Sequence, residues 1–256
     1  MLLGFVYQPP PDVDMLISCA DVQMRMGLFA AARDFTAKVL VQDSDHIQAL
    51  LMDAYCAERT GRDEEALRRY TALFERVSHP DQLAELCISQ ALLLCRTGEP
   101  QKGIEVLRKA SPLDPAIQAK LDLARGLCWE SGGQQGVAAG LFRHVLDLPE
   151  APADVLFRSS RRLEEMGCVE EALRGFGRGA EEGDLEAKFR FSRLKFFCGD
   201  ADTASAVLRE IADADSRFLK RLLREDEAFR NEVQSNDLLP GGKLGAGGLP
   251  DRGTSR

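Results

Sequence analysis

The sequence predicts an all-α fold: a solenoid of about six helix hairpins, closed by a C-terminal capping helix. Three observations carry that prediction. Glycines stand at 27, 61, 98, 133, 167 and 199, at intervals of 34, 37, 35, 34 and 32 residues, the period of a solenoid made of two-helix repeats. Small residues flank each marker at fixed offsets: Ala32, Ala66, Gly103, Ala138, Ala172 and Ala204 five positions after it, and Ala20, Ala54, Ala91, Gly126, Ser160 and Ser192 seven positions before it. Nine positions after each marker come Thr36, Tyr70, Leu107, Phe142, Phe176 and Leu208, mostly large. The shared frame is visible by eye where GRDEEALRRY at Gly61 returns as GCVEEALRGF at Gly167.

Each element of the hairpin follows from packing. Two antiparallel helices at 8 to 10 Å need small side chains where their backbones approach most closely. The marker ends the first helix, because a residue without Cβ enters the left-handed conformation cheaply. The large residue lies one turn beyond the small one on the same face of the second helix, where it fills the space between helices. His79-Pro80 and Asp114-Pro115 fall where a second helix has already ended, consistent with proline's resistance to a helix interior. The solenoid is expected over residues 13 to 218. After it, RFLKRLLREDEAFRNEVQ sets Phe218, Leu222, Phe229 and Val233 along one stripe, as expected of a capping helix over 219–236. The segment 237–256, ending GGKLGAGGLPDRGTSR, is too poor in apolar residues to order itself. Residues 1–12 form an apolar arm, MLLGFVY, and a spacer containing Pro9, Pro10 and Pro11. Such an arm packs on the first repeat, pairs with a second subunit as a homodimer, or lies in the groove.

These residues resemble the tetratricopeptide repeat family, over roughly residues 13 to 218. Three places depart from its pattern: Gly132, Gly133 and Gly136 crowd the fourth turn, Gly103 replaces the usual alanine, and Ala180 to Asp184 with Ala187 look like the related Sel1-like variant. The resemblance implies a right-handed α-α superhelix and a non-enzymatic adaptor or scaffold, whose first helices line a concave groove that takes a peptide or helix of another protein.

Composition narrows the remaining classes. With 33 basic against 41 acidic residues the net charge is −8, which repels a phosphate backbone and argues against nucleic acid as a partner. The seven cysteines are an odd number without a C-x-x-C pair, so neither a disulfide scaffold nor a zinc site is expected; free thiols suit a reducing, cytoplasmic compartment. Leu16-Ile17-Ser18-Cys19-Ala20 looks like a lipoprotein cleavage box, but the residues before it lack a basic start and include three prolines and two aspartates. No apolar run approaches the roughly 20 residues of a membrane helix. His46, His79 and His144 are scattered, so no catalytic triad or metal site is expected. Asp43-Ser44-Asp45 reads as a helix cap, and Glu64-Glu65 and Glu170-Glu171 as first-turn acids favoured by the helix dipole. No cofactor is implied.

Function is therefore expected on the first helices. Ten residues before each marker stand Ile17, Leu51, Ile88, Leu123, Phe157 and Phe189, and six before stand Asp21, Tyr55, Leu92, Leu127, Arg161 and Arg193. The rows are one turn apart and face the same side. They predict a groove that is acidic at one end, apolar in the middle, and aromatic and basic at the other. Arg158, Arg161, Arg190 and Arg193 would form a ladder beside Phe157, Phe189, Phe196 and Phe197, suited to an acidic peptide with an apolar anchor. The bland alternative is a solvated face paired internally with Glu164, Glu165 and Glu186. The first repeat offers Ile17 and Asp21 where a chaperone-type carboxylate clamp needs Lys and Asn, so that clamp is not expected. Two further readings stay open: a chaperone of a secretion or assembly system, and a ligand-sensing regulator or self-assembling scaffold.

Overall fold

Each marker glycine ends its helix with the same pair of hydrogen bonds. At Gly27 (φ 75°) the Leu28 N–H donates to the Gln23 carbonyl at 2.8 Å, and the Gly27 N–H to the Met24 carbonyl at 3.0 Å. That is the paired closure in which a left-handed residue satisfies two orphan carbonyls of the last turn. The pattern recurs at Gly61, Gly98, Gly133, Gly167 and Gly199, all with positive φ, and also at Gly183.

The computed structural model describes residues 12–239. The expected N-terminal arm and most of the Gly-rich tail lie outside the described residues. Among the described residues are thirteen helices and no strand. They are α1 (Val13–Arg25), α2 (Phe29–Gln42), α3 (Ile47–Arg59), α4 (Asp63–Leu73), α5 (Pro80–Arg96), α6 (Pro100–Leu107), α7 (Pro115–Ser131), α8 (Gln135–Asp147), α9 (Ala153–Glu165), α10 (Val169–Glu181), α11 (Leu185–Phe197), α12 (Ala201–Glu225) and α13 (Glu227–Ser235). The chain divides into two compact units, Met1–Leu141 and Phe142–Arg256, with the division inside α8. None of the described helices is long and apolar enough to cross a membrane.

In the first unit, α1 to α7 pack as successive antiparallel neighbours, and the first helices also touch one another, α1 with α3, α3 with α5, and α5 with α7. All twelve small-residue slots are buried, as are the six large positions that follow the markers. Thr36, the one polar member of that row, meets the cost of burial by donating its hydroxyl to the Arg33 carbonyl at 3.1 Å. Proline opens α5 and α7 at Pro80 and Pro115, and the residues before them cap: Asp81 N–H donates to His79 Nδ1, and Ala116 N–H to Asp114 Oδ1. The acidic fragment 43–45 behaves differently from expectation. Asp43 sits at the C-cap of α2, its carboxylate accepting from the Asp45 N–H and its carbonyl from the His46 N–H, while His46 is the residue that caps α3.

In the second unit α9 packs on α10, α10 on α11, α11 on α12, and α12 on α13. The segment expected to be one capping helix is broken. Asp215 has extended φ/ψ inside α12, and its carboxylate caps a new helical start by accepting from the Arg217 and Phe218 N–H groups, both at 2.9 Å. Asp226 breaks it again, accepting from the Phe229 N–H to start α13. The two turns fold the stripe back onto the unit, where Leu219, Leu222, Phe229 and Val233 share a core with Phe189 and Leu208. Leu238 and Leu239, assigned by composition to the tail, are buried in that core, and Ser205 donates to the Leu238 carbonyl at 2.7 Å.

Candidate functional site

The first helices of the first unit surround a cavity of about 330 Å³. Met24 of α1, Leu51 and Tyr55 of α3, and Ile88 of α5 supply apolar walls, and Glu85, Ser89 and Lys120 a polar rim. The floor includes Tyr70 of α4, whose hydroxyl donates to Glu58 Oε2 at 2.9 Å. Burial and the Glu58 charge push the Tyr70 phenol far above its ordinary range, so it stays a protonated donor. At the edge, the Arg59 guanidinium lies 5.1 Å from the Phe29 ring and 5.9 Å from the Tyr55 ring, which pack edge to face. Lys120 and Glu85 stand 3.6 Å apart and are both about half exposed, so either side chain can turn to a ligand at little cost.

Of the residues read from sequence in this unit, Leu51, Tyr55 and Ile88 converge on the cavity. Leu92 and Leu127 are half-buried and do not line it, while Ile17 and Leu123 are buried, only 8% and 2% exposed. Asp21 is held by Arg25 at 2.8 Å. Reading two rows overlooked Met24, Glu85 and Lys120. Periodicity carries a signal for each: Met24 follows Ile17 by seven residues, and Glu85 and Lys120 precede Ile88 and Leu123 by three, all on the face of the chosen row.

The basic row of the second unit is largely engaged by acids of its own chain. Arg193 pairs with Glu164 at 2.5 Å and with Asp226 at 2.7 Å, and Arg190 lies 3.7 Å from the same Glu164. Arg161 is 3.3 Å from Glu165 and about half exposed; Arg158 is exposed. Of the aromatic residues, Phe157 packs on Phe176 at 5.6 Å, and Phe189 and Phe196 pack on Phe229 at 5.6 and 6.0 Å. Phe197 is exposed and carries Arg193 at 5.5 Å over its ring. Phe229 and Asp226 thus bring the C-terminal cap across this row.

A second cavity, of about 630 Å³, lies among Leu173, Gly177, Phe191 and Val207 of α10, α11 and α12. Its cations are already engaged. Arg178 donates to the Leu146 and Leu148 carbonyls, Arg174 pairs with Asp147, and Lys188 pairs with Glu210. Among the described residues no three His, Cys, Asp or Glu side chains gather in a way that could hold a metal ion.

No protein-family model matches the chain, and no curated protein matches it. Solved structures do. TTC0263, a tetratricopeptide repeat protein of Thermus thermophilus, matches 72% of this chain and all of its own at 20% identity and a TM-score of 0.59. PilF of Pseudomonas aeruginosa matches 88% of this chain and 97% of its own at 18% identity and a TM-score of 0.60. PilW, a widely conserved type IV pilus biogenesis factor, matches 91% and 96% at 17% identity and a TM-score of 0.58. At such identities the likeness is one of architecture, and with the turn glycines and buried small-residue slots it establishes that this chain has the tetratricopeptide repeat fold.

Proposed function

We propose that the protein is a non-enzymatic, cytoplasmic adaptor that captures a peptide or helix of a partner protein on the first helices of its repeats. The observation that carries this reading is the cavity bounded by Met24, Leu51, Tyr55 and Ile88, an apolar recess with a polar rim on the first-helix face of the repeats. One apolar side chain of a partner would fill it, and burying a Leu or Phe there stabilises a complex by roughly 1.5 to 3 kcal/mol. Lys120 and Glu85 would set the orientation of the flanking chain. In the second unit exposed Arg158 and Arg161, the latter beside Glu165, would meet a partner carboxylate, whereas Arg190 and Arg193 already hold Glu164.

A second reading, assembly chaperone rather than general adaptor, draws on PilW, described as a pilus biogenesis factor. Both readings use the same recess and differ in the partner. The test places a photo-crosslinking amino acid at Ile88 and, as control, at the exposed Val41 of α2. The expected result is a discrete crosslinked partner from Ile88 that is absent from Val41 and is competed away when Leu51→Asp is added, with affinity falling at least about tenfold. Equal crosslinking from both positions, or a partner indifferent to Leu51→Asp but lost with Arg161→Glu, would move the site off this recess.

A further inference from the structure

Two of the seven cysteines stand apart from the rest. Cys95, in the last turn of α5, and Cys128 of α7 hold their sulfurs 2.8 Å apart, although 33 residues separate them in sequence. Ordinary non-bonded carbon contacts lie at about 3.5 to 4.0 Å, and a disulfide at about 2.05 Å. The remaining gap is therefore well under an ångström.

The repeat frame is altered where this pair sits. Gly103 occupies the slot that all five of the other repeats fill with a fully buried alanine. A Cβ at Gly103 would lie 3.2 Å from the Cys128 sulfur, 3.4 Å from the Cys95 sulfur and 3.0 Å from the Ala91 carbonyl oxygen. A glycine inside a helix costs about 1 kcal/mol relative to alanine, and here it leaves room for two thiols. The pair is also asymmetric. Cys95 is half-buried and reachable and directs its S–H at the Cys128 sulfur, whereas Cys128 is fully buried and directs its own S–H at the Ala91 carbonyl. When Cys95 ionises, the Cys128 S–H donates to it, which holds the Cys95 thiol below its ordinary range and Cys128 above it.

We propose that Cys95 and Cys128 form a peroxide-reactive thiol pair, in which Cys95 is oxidised and Cys128 resolves it into a disulfide joining α5 to α7. The Cys95 thiolate attacks hydrogen peroxide: a sulfur–oxygen bond forms, the oxygen–oxygen bond breaks, and the departing hydroxide takes a proton to become water. The sulfur has lost two electrons and is now a sulfenic acid. Cys128 then attacks that sulfur, the sulfur–sulfur bond forms, and the hydroxyl leaves with the Cys128 proton as a second water. One peroxide and two thiols give one disulfide and two waters, and a thiol such as glutathione reverses the bond by exchange. The bond would tie α5, which carries Ile88 and Glu85, to α7, which carries Lys120, so it would hold two walls of the first-unit cavity at one spacing. The thiol chemistry itself does not depend on what that cavity binds.

The reduced full-length protein is titrated with hydrogen peroxide, quenched with an alkylating agent in denaturant, and mapped by peptide mass without reduction. At one equivalent, the expected map shows one crosslinked peptide pair holding Cys95 and Cys128, lighter by two hydrogen atoms, with the other five cysteines alkylated. Emission from Trp129, the only tryptophan and the neighbour of Cys128, should fall as the bond forms and return with dithiothreitol. Cys128→Ser should leave a sulfenic acid on Cys95 that dimedone traps. If that variant fails to fold, the map of the unaltered protein decides alone. A map in which exposed Cys198 or another thiol is consumed while Cys95 and Cys128 are not joined overturns the proposal.

Discussion

Helix α10 carries three glycines in alternate positions, Gly175, Gly177 and Gly179, and alanine at two of them should have opposite effects. At Gly175 a Cβ would lie 1.9 Å from Ser160 Oγ, 2.8 Å from Leu146 Cδ2 and 3.1 Å from Ser160 Cβ. Ser160 is fully buried, and its hydroxyl donates to the Leu156 carbonyl at 2.8 Å. Turning it away from a new methyl group would sacrifice that bond, at about 1 kcal/mol. Overpacking at the contact costs a further 1 to 3 kcal/mol or so, and the gain in helix propensity over glycine returns about 1. Gly175→Ala should therefore destabilise by roughly 1 to 3 kcal/mol. At Gly177 the nearest atom is Phe191 Cε2 at 3.5 Å, an ordinary contact, so only the propensity gain of about 1 kcal/mol remains and Gly177→Ala should stabilise. Urea unfolding followed by far-UV circular dichroism reads both shifts on the same helix. Adding Ser160→Ala to Gly175→Ala removes the 1.9 Å contact and should recover part of the loss, a coupling that a double-mutant cycle isolates. A Gly175→Ala protein as stable as Gly177→Ala would refute the claim that close approach of α9 and α10 dictates this glycine.

Two further outcomes follow from the same packing. Phe229 is fully buried against Phe189, Phe196 and Phe197, so Phe229→Ala should cost about 3 to 5 kcal/mol and raise binding of an apolar dye as the three rings are uncovered. Unchanged stability would mean that the C-terminal cap is not seated on α11. Asp81 of α5 accepts from the backbone N–H groups of Asp114 and Leu113, at 3.1 and 2.7 Å, across the interval between two repeats. The Asp114 hydrogen bond first, and then that from Leu113, hold its carboxyl below the ordinary range. The folded value lies below the unfolded one of about 3.9, so the stabilisation is present above about pH 4 and is lost as pH falls below it. The melting temperature of Asp81→Asn should thus lie below that of the unaltered protein at neutral pH and converge with it in acid.

The architecture was legible because its cause is local and periodic. A left-handed glycine, an alanine five residues on and a large residue nine residues on recur at fixed offsets, and each offset states which side chain meets which backbone. The site was legible only in part, for a reason that the two halves of the predicted groove make plain. Leu51, Tyr55 and Ile88 reach one cavity because neighbouring repeats bring equivalent positions together. Arg190 and Arg193 occupy equally regular positions, yet Glu164 and Asp226 engage them, and those acids lie 29 and 33 residues from Arg193. Glu164, inside a repeat, is a partner that the internally paired reading names, whereas repeat periodicity does not encode Asp226, because the segment that brings it in is no longer a repeat.

The breaks at Asp215 and Asp226 decide the matter physically. A continuous helix through RFLKRLLREDEAFRNEVQ would carry its apolar stripe past the last repeat, whereas two side-chain-capped turns reverse it and seat Phe229 on Phe189 and Phe196. In both places an aspartate stands two or three residues ahead of the N–H groups it accepts from, the usual way of starting a helix. Reading those aspartates as starts rather than as a charged helix face would have placed the cap across the basic row. The recess of the first unit is lined by apolar side chains of α1, α3 and α5, and its Lys120 and Glu85 meet in one exposed pair. A partner's side chain entering there displaces water and a weak ion pair, while one approaching Arg193 must compete with two carboxylates already in place. That difference in what must be given up, more than the count of arginines, is what favours the apolar recess over the basic ladder in the proposed docking.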